Sequence, residues 1–178
     1  EQGECQLSRD RPGHHEAVQA VLDLLTGAEY GVVKDVGEIR AVGHRVVHGG
    51  SFFSKPVLVD QEVLGKLEAC SRLAPLHNPP NIVGIQACRK MMPGAAQVAV
   101  LDTAFHQTLR EYAFMYGVPY DMYRKHQIRK YGFHGISHSY VAGVAAEMLG
   151  AGLEDLKIIT CHLGNGASLC AVGGGRSV

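Results

Sequence analysis

Apolar and polar positions along this chain follow two different periods, and the switches between them mark out its elements. From His15 to Leu25 the residues Ala17, Val18, Val21, Leu22, Leu24 and Leu25 recur at helical spacing, and Gly27 follows as a stop. Ile39 to His48 reads as a strand ending in Gly49-Gly50, and Pro56 to Val59 as a short second strand. Gln61 to Leu73 reads as a helix. Asn78-Pro79-Pro80 offers a cap and a proline start for another, running to about Met92. Gln97 to Leu101 is a short apolar run with Asp102 at its end, the pattern of a buried strand carrying a carboxylate at its C-terminal edge. A helical stretch near Gln107–Tyr112 precedes a loop rich in Tyr, Lys and Arg that reaches Phe133. Ser137 is the expected N-cap of a helix ending at Leu149. Lys157 to Leu163 and Ala167 to Val172 flank Gly164-Asn165-Gly166, which predicts a β-hairpin.

Strands and helices mix along the chain with no internal repeat, so the fold class is α/β. The length, 178 residues, fits one domain or one and a fraction. The 22 glycines exceed the usual share of about 7% and fall in dense groups, where turns are tight or backbone approaches a ligand. Residues 1–13 are polar and read as loop. A domain boundary is expected shortly after Phe105-His106, giving units 1–106 and 107–178.

Charge excludes some functions. Lys and Arg total 17 against 17 for Asp and Glu, so no basic field exists to hold nucleic acid or an anionic membrane. No apolar run approaches the roughly 20 residues needed to span a bilayer. Cys5, Cys70, Cys88, Cys161 and Cys170 are an odd count with no close pair, as expected of reduced, partly buried thiols in a cytoplasmic protein. The chain begins at Glu1 without Met and stops at Gly-Gly-Gly-Arg-Ser-Val, which reads as an internal piece of a longer protein.

Four segments could carry chemistry. On a strand, Arg45 and Val47 face the same side. A guanidinium beside an apolar wall suits a small anion with a short tail, and a structural ion pair at a strand end is the alternative. Asp102 either caps the following turn or acts on a ligand, by orienting an acceptor, holding Mg²⁺ through water or taking a proton. His134 and His138 are four apart, but a helix capped at Ser137 would leave His134 outside it, and no helical Glu accompanies them, so a zinc site is not expected. His134 lies beside glycine and can donate to an oxyanion, or be an ordinary loop histidine. Gly164-Asn165-Gly166 can turn backbone N–H groups toward a phosphate, or be a plain hairpin turn.

Taken together and in order, these motifs resemble a known family. Arg45 in GHRVVHGG, LHNPPN at 76–81, Asp102 in VLDTAFHQT, His134 in KYGFHGISH and HLGNGAS at 162–168 are similar to the signatures of the acetate kinase family, from about Gly37 to Val178. The resemblance implies part of a sugar kinase/Hsp70/actin (ribonuclease H-like) fold: most of the first, acyl-binding domain and the start of the second, nucleotide-binding one. It implies reversible transfer of the ATP γ-phosphoryl group to acetate, giving acetyl phosphate and ADP. Arg45 would bind the carboxylate, Val47 and Leu76 would line the acyl pocket, and Asp102 would be the active-site carboxylate. His134 would stabilise the transferring phosphoryl group, and His162, Leu163, Gly164, Asn165 and Gly166 would meet the nucleotide phosphates.

The family's opening Asn-x-Gly-Ser-Ser-Ser turn has no counterpart here. Its later catalytic Arg, adenosine-binding glycines and metal-binding Glu fall beyond Val178. Mg²⁺ is therefore an expected cofactor whose ligands lie outside this segment, and the segment alone is expected to be inactive. A cytoplasmic homodimer is implied for the full-length protein. Propionate or butyrate kinase is the near alternative, and a non-catalytic actin-like nucleotide-binding module the distant one.

Overall fold

A computed structural model describes residues 13–178 and is built on two small sheets joined by helices. Cys5 and the polar segment up to residue 12 lie outside the described residues. In the first sheet, β1 (Ala41–Val46) runs parallel to β3 (Ala96–Leu101), and β2 (Val57–Leu58) adds antiparallel on the far side of β3. The register places Arg45 beside Val100 and Val46 beside Leu101. Both long strands therefore end at the same edge, the edge where α/β sheets present ligand-binding groups.

Helix α1 (His14–Thr26), α2 (Gln61–Cys70) and α3 (Asn78–Met91) cover this sheet. Asp60 caps α2, its Oδ1 accepting from the Val63 N–H at 2.8 Å. The buried residues of α2 are Val63, Leu64, Leu67 and Cys70, one face at helical spacing. They meet Val46, Ala99 and Leu101 from the strands and Ile82 and Ile85 from α3, which together form the main core. A second cluster joins Leu22 of α1 to Cys88, Met92 and Ala95.

The second sheet is wholly antiparallel: β4 (Lys157–Leu163), β5 (Ala167–Gly173) and β6 (Arg176–Ser177) in that order. Helix α6 (Gly135–Leu149) packs Ala142 against Cys170 and Val172 on its inner face. Ile159, Leu163 and Leu169 are exposed on the other face. Between the sheets run a 3-10 turn (Phe105–Thr108), α4 (Glu111–Phe114) and α5 (Tyr120–His126).

Several expectations shift in the structure, each for a local reason. The strand expected to reach His48 stops at Val46, because the next amides leave the ladder for side chains. Val47 N–H donates to Asn81 Oδ1 at 3.2 Å, His48 N–H to Asn78 Oδ1 at 3.1 Å and Gly49 N–H to Thr103 Oγ1 at 3.0 Å. Asn78 is accordingly the first residue of α3 and not its cap, which is His77. The helix expected to run to Leu73 ends at Cys70. The stretch near Gln107–Tyr112 splits in two where Leu109 and Arg110 are extended. The Tyr-, Lys- and Arg-rich loop contains α5, closed by Gln127 in the left-handed region at φ 58°. Helix α6 starts three residues earlier than Ser137 as its cap would set it, at Gly135, with His134 as N-cap. Among the described residues no helix is long and apolar enough to cross a membrane. Of the described cysteines, Cys70, Cys88 and Cys170 are buried and Cys161 is exposed, all as free thiols.

Candidate active site

The C-terminal ends of β1 and β3 open into a cleft of about 990 Å³. Arg45, the penultimate residue of β1, projects into it, and Asp102, the residue after β3, closes its floor. Their side chains are ion-paired: Arg45 Nη2 donates to Asp102 Oδ2 at 2.5 Å and Nε to the same oxygen at 3.2 Å. Asp102 is almost fully buried, whereas most of the Arg45 side chain is exposed. The buried carboxylate thus fixes a guanidinium that still faces solvent. Val47, one residue past the end of β1, lines the same cleft.

The opposite wall comes from the loop before α6. Gly132 sits at φ 75°, and a Cβ there would stand 2.5 Å from His106 Cγ, so the loop can pass over that ring only with glycine. Gly135 donates its N–H to the Asp102 carbonyl at 2.9 Å, and a Cβ at this position would collide with that oxygen. Between these two glycines His134 is held at φ 54°, in the left-handed region, with its ring in the cleft. His134 stacks on His162, with centroids 4.1 Å apart and planes 20° from parallel. Burial, then the neighbouring His162 and Arg45, hold its pKa below the usual histidine value, against an opposing pull from Asp102.

As expected, His134 lies outside α6, as its N-cap, so it and His138 share no helical face. They meet through a third residue instead: His134 Nδ1 and His138 Nε2 are both 2.8 Å from Ser168 Oγ on β5. Ser168 lay inside the HLGNGAS motif, and its alternation with Cys170 and Val172 along β5 was the signal that it points inward. His48 was also missed. Its ring is buried, accepts the Gly50 N–H at Nδ1 (2.9 Å), and meets Tyr131 and Phe133 edge-on at 4.5 and 5.5 Å. Burial, with Arg129 nearby, lowers its pKa to about 4.

Of the residues singled out in the sequence, Arg45, Val47, Leu76, Asp102, His134, Asn165 and Gly166 line this one cleft. Leu76 does so from an exposed position. His162, Leu163 and Gly164 are not among its lining. His162 reaches the site through its stack on His134 and bonds Ser137 Oγ at 3.0 Å through Nδ1. Asp102 is the one carboxylate among the lining residues and is already paired, which is too few oxygen ligands for Mg²⁺. Among the described residues no three or more His, Cys, Asp or Glu side chains converge as a metal site.

Chemically, the cleft combines a fixed guanidinium, an imidazole, a short apolar wall and a glycine-flanked hairpin turn, parts suited to a small anion with a short apolar tail. The architecture is a partial sugar kinase/Hsp70/actin fold, as its structural neighbours show. The crystal structure of Porphyromonas gingivalis acetate kinase superposes with a TM-score of 0.91 at 49% identity, covering 96% of this chain and 43% of that one. A propionate kinase from Francisella tularensis superposes at 0.85 with 46% identity, covering 92% of this chain and 41% of that one. In sequence, the acetate kinase of Caldanaerobacter subterraneus subsp. tengcongensis is 60% identical over 172 residues, 97% of this chain and 43% of the relative. The model of the acetokinase family matches residues 1–178, and the chain belongs to that family. It spans less than half the length of these relatives.

Proposed function

We propose that this chain is the acyl-binding and phosphoryl-contacting part of an acetate kinase, which transfers the γ-phosphoryl group of ATP reversibly to acetate. The observation that carries the reading is the Arg45–Asp102 pair, opening beside Val47 and opposite His134 in one cleft of an acetokinase-family chain. Arg45 takes the acetate carboxylate, with Val47 and Leu76 against the methyl group. Asp102 orients Arg45. Acetate is ionised at neutral pH, since a carboxylic acid titrates near ~4, so no base is needed to activate it. A carboxylate oxygen forms the new bond to the γ-phosphorus as the bond to the bridging oxygen breaks, and that electron pair leaves with ADP. Catalysis then rests on position and charge: Arg45 and His134 face the negative oxygens of the transferring group. His162, Leu163, Gly164, Asn165 and Gly166 form the turn toward the nucleotide phosphates.

ATP or ADP is the co-substrate in this reading, and Mg²⁺, which screens phosphate charge when bound, takes its ligands from other parts of the enzyme. The reading also places the domain boundary after His106 and the enzyme in the cytoplasm as a homodimer. Neither nucleic acid nor membrane is a partner. A hydroxamate-coupled assay with acetate, ATP and Mg²⁺ on the complete protein and on this chain tests it. Activity in the complete protein and none in the chain is expected. No product from acetate, propionate or butyrate in the complete protein would overturn it.

The similarity to a propionate kinase favours one second reading, a longer acyl substrate. One methylene is worth only about 1–3 kcal/mol of discrimination, so kcat/KM across the three acids decides the preference.

A further inference from the structure

His134 sits at one end of a chain of side chains running inward from the cleft. Its Nδ1 meets Ser168 Oγ at 2.8 Å, Ser168 Oγ meets His138 Nε2 at 2.8 Å, and His138 Nδ1 meets Thr160 Oγ1 at 2.8 Å. His138 and Thr160 are buried to within 2% of full coverage, so the inner bonds have no competition from solvent. The Nε2 atom of His134 has no acceptor or donor among the described residues and borders the cleft.

Each hydroxyl has one proton and two lone pairs and each neutral imidazole one N–H, so the direction of the chain is set by where the Thr160 and Ser168 protons go. Thr160 is fixed first. Its oxygen lies 2.8 Å from His138 Nδ1 and 3.4 Å from the Cys170 carbonyl. The longer separation is beyond the usual O–H···O range, roughly 2.5–3.0 Å, so the threonine proton belongs to His138 Nδ1. His138 then carries its own proton on Nε2 and gives it to Ser168. Ser168, having accepted from His138, keeps its own proton for His134 Nδ1, the acceptor 2.8 Å away, and donates to it.

We infer that Thr160, His138 and Ser168 are positioning residues that fix His134 as the Nε2–H tautomer, with that N–H presented to the cleft. The inference rests on the proposed role of His134 toward the phosphoryl group and deepens it. A neutral imidazole offers a transferring phosphoryl oxygen either an N–H or a lone pair. The lone pair would repel the oxygen. His134 is kept neutral by burial and by the His162 ring stacked on it, so the relay must supply the donor that protonation does not.

Long-range proton–nitrogen NMR of the isotopically labelled chain, at about pH 8 where histidine is neutral, reads this directly. Both His134 and His138 are expected as Nε2–H tautomers with unprotonated Nδ1. In Ser168→Ala the His134 Nδ1 signal is expected to move toward the average of the two tautomers, while His138, still held by Thr160, keeps its own. A proton on Nδ1 of either ring in the unaltered chain overturns the relay, and so does a His134 spectrum unmoved by Ser168→Ala. If that variant does not fold, the unaltered chain alone decides. The spectrum does not depend on turnover, so a failed relay and a failed kinase reading are separate results.

Discussion

Asp102 engages two of the three guanidinium nitrogens of Arg45, Nη2 and Nε, and among the described residues Nη1 has no acceptor. The pair is asymmetric in exposure, 2% for the Asp102 side chain and 60% for Arg45. A buried acceptor holding an exposed donor positions the cation while leaving part of it open to an anion. The loop carrying His134 docks on the same residue through the Asp102 carbonyl, so one position sets both walls of the cleft.

Asp102→Asn keeps the shape and removes the charge. An amide oxygen in place of Oδ2 could still accept from Nη2 and Nε, but the attraction of a full charge is lost and the amide N–H₂ would stand where Oδ1 now accepts from Nε, facing that cation. Arg45 is then expected to swing off its line. Since a displacement of about 1 Å can cost roughly 100-fold, kcat of the complete kinase should fall by about that factor or more. Retention of most activity would remove Asp102 from its proposed orienting role.

Asn78 is the residue on which the turn after β1 depends. It is fully buried, accepts from His48 N–H at 3.1 Å, and donates to His48 O at 2.8 Å and Leu67 O at 3.3 Å. Alanine would leave the His48 N–H and carbonyl without these partners and the Leu67 carbonyl with only the Ser71 hydroxyl, at 3.5 Å. Each such loss costs about 1–3 kcal/mol, so Asn78→Ala should lose about 3 kcal/mol or more in urea unfolding. Asn78→Asp should be no better, because a carboxylate cannot donate to either carbonyl.

How much of this could be read from the chain depended on range. Arg45 and Asp102 announced themselves as charged residues ending apolar strands, and the hairpin at 164–166 carried its own turn chemistry. Asn78 looked like a cap because Asn before Pro-Pro is a local signal, whereas its partners are 30 and 11 positions away. Helix α5 is seven residues with none buried, so it left no apolar period to detect. Its visible traces were Pro119 before it and Asp121, which pairs with Arg124 and Lys125. His134 and His138 were weighed only as a zinc pair, which was discounted, and Ser168, which joins them, is 34 and 30 positions away in sequence.

Stability should fall in acid through His48. Its pKa lies near 4 in the folded chain against an ordinary 6.5. Between those values the unfolded chain binds a proton that the folded chain does not, so stability rises with pH across the window and is full above it. Protonation at Nδ1 would also turn an acceptor of the Gly50 N–H into a donor. The shift corresponds to about 3 kcal/mol between the two limits. His106, His134 and His138 are lowered too and add in the same direction. His48→Asn, whose Oδ1 can replace Nδ1 as acceptor, should therefore reduce the pH slope of urea stability between about 4 and 6.5 without abolishing it. An unchanged slope would show that His48 titrates normally.

Arg129 anchors the loop that delivers Phe133 and His134. Its guanidinium carbon lies 3.7 Å from the centroid of Phe114 and 4.8 Å from that of Tyr131, and its Nε donates to the Lys130 carbonyl at 3.0 Å. Its Nη2 is buried with no hydrogen-bond partner, and burial lowers its pKa. The contacts to the two rings and the loop carbonyl are therefore what offsets the desolvation of this cation. A planar, weakly hydrated guanidinium stacks flat on a ring and keeps Nε for the carbonyl, whereas a compact ammonium offers only a point charge that is costlier to desolvate. Arg129→Lys should lose about 1–2 kcal/mol and loosen residues 127–133 first. Amide hydrogen exchange is the measurement: faster exchange at Lys130 N–H, which bonds the Phe114 carbonyl at 2.8 Å, with the β1–β3 ladder unchanged. Protection at Lys130 equal to that of the unaltered chain would mean that the loop is held from Gly132 and Gly135 alone.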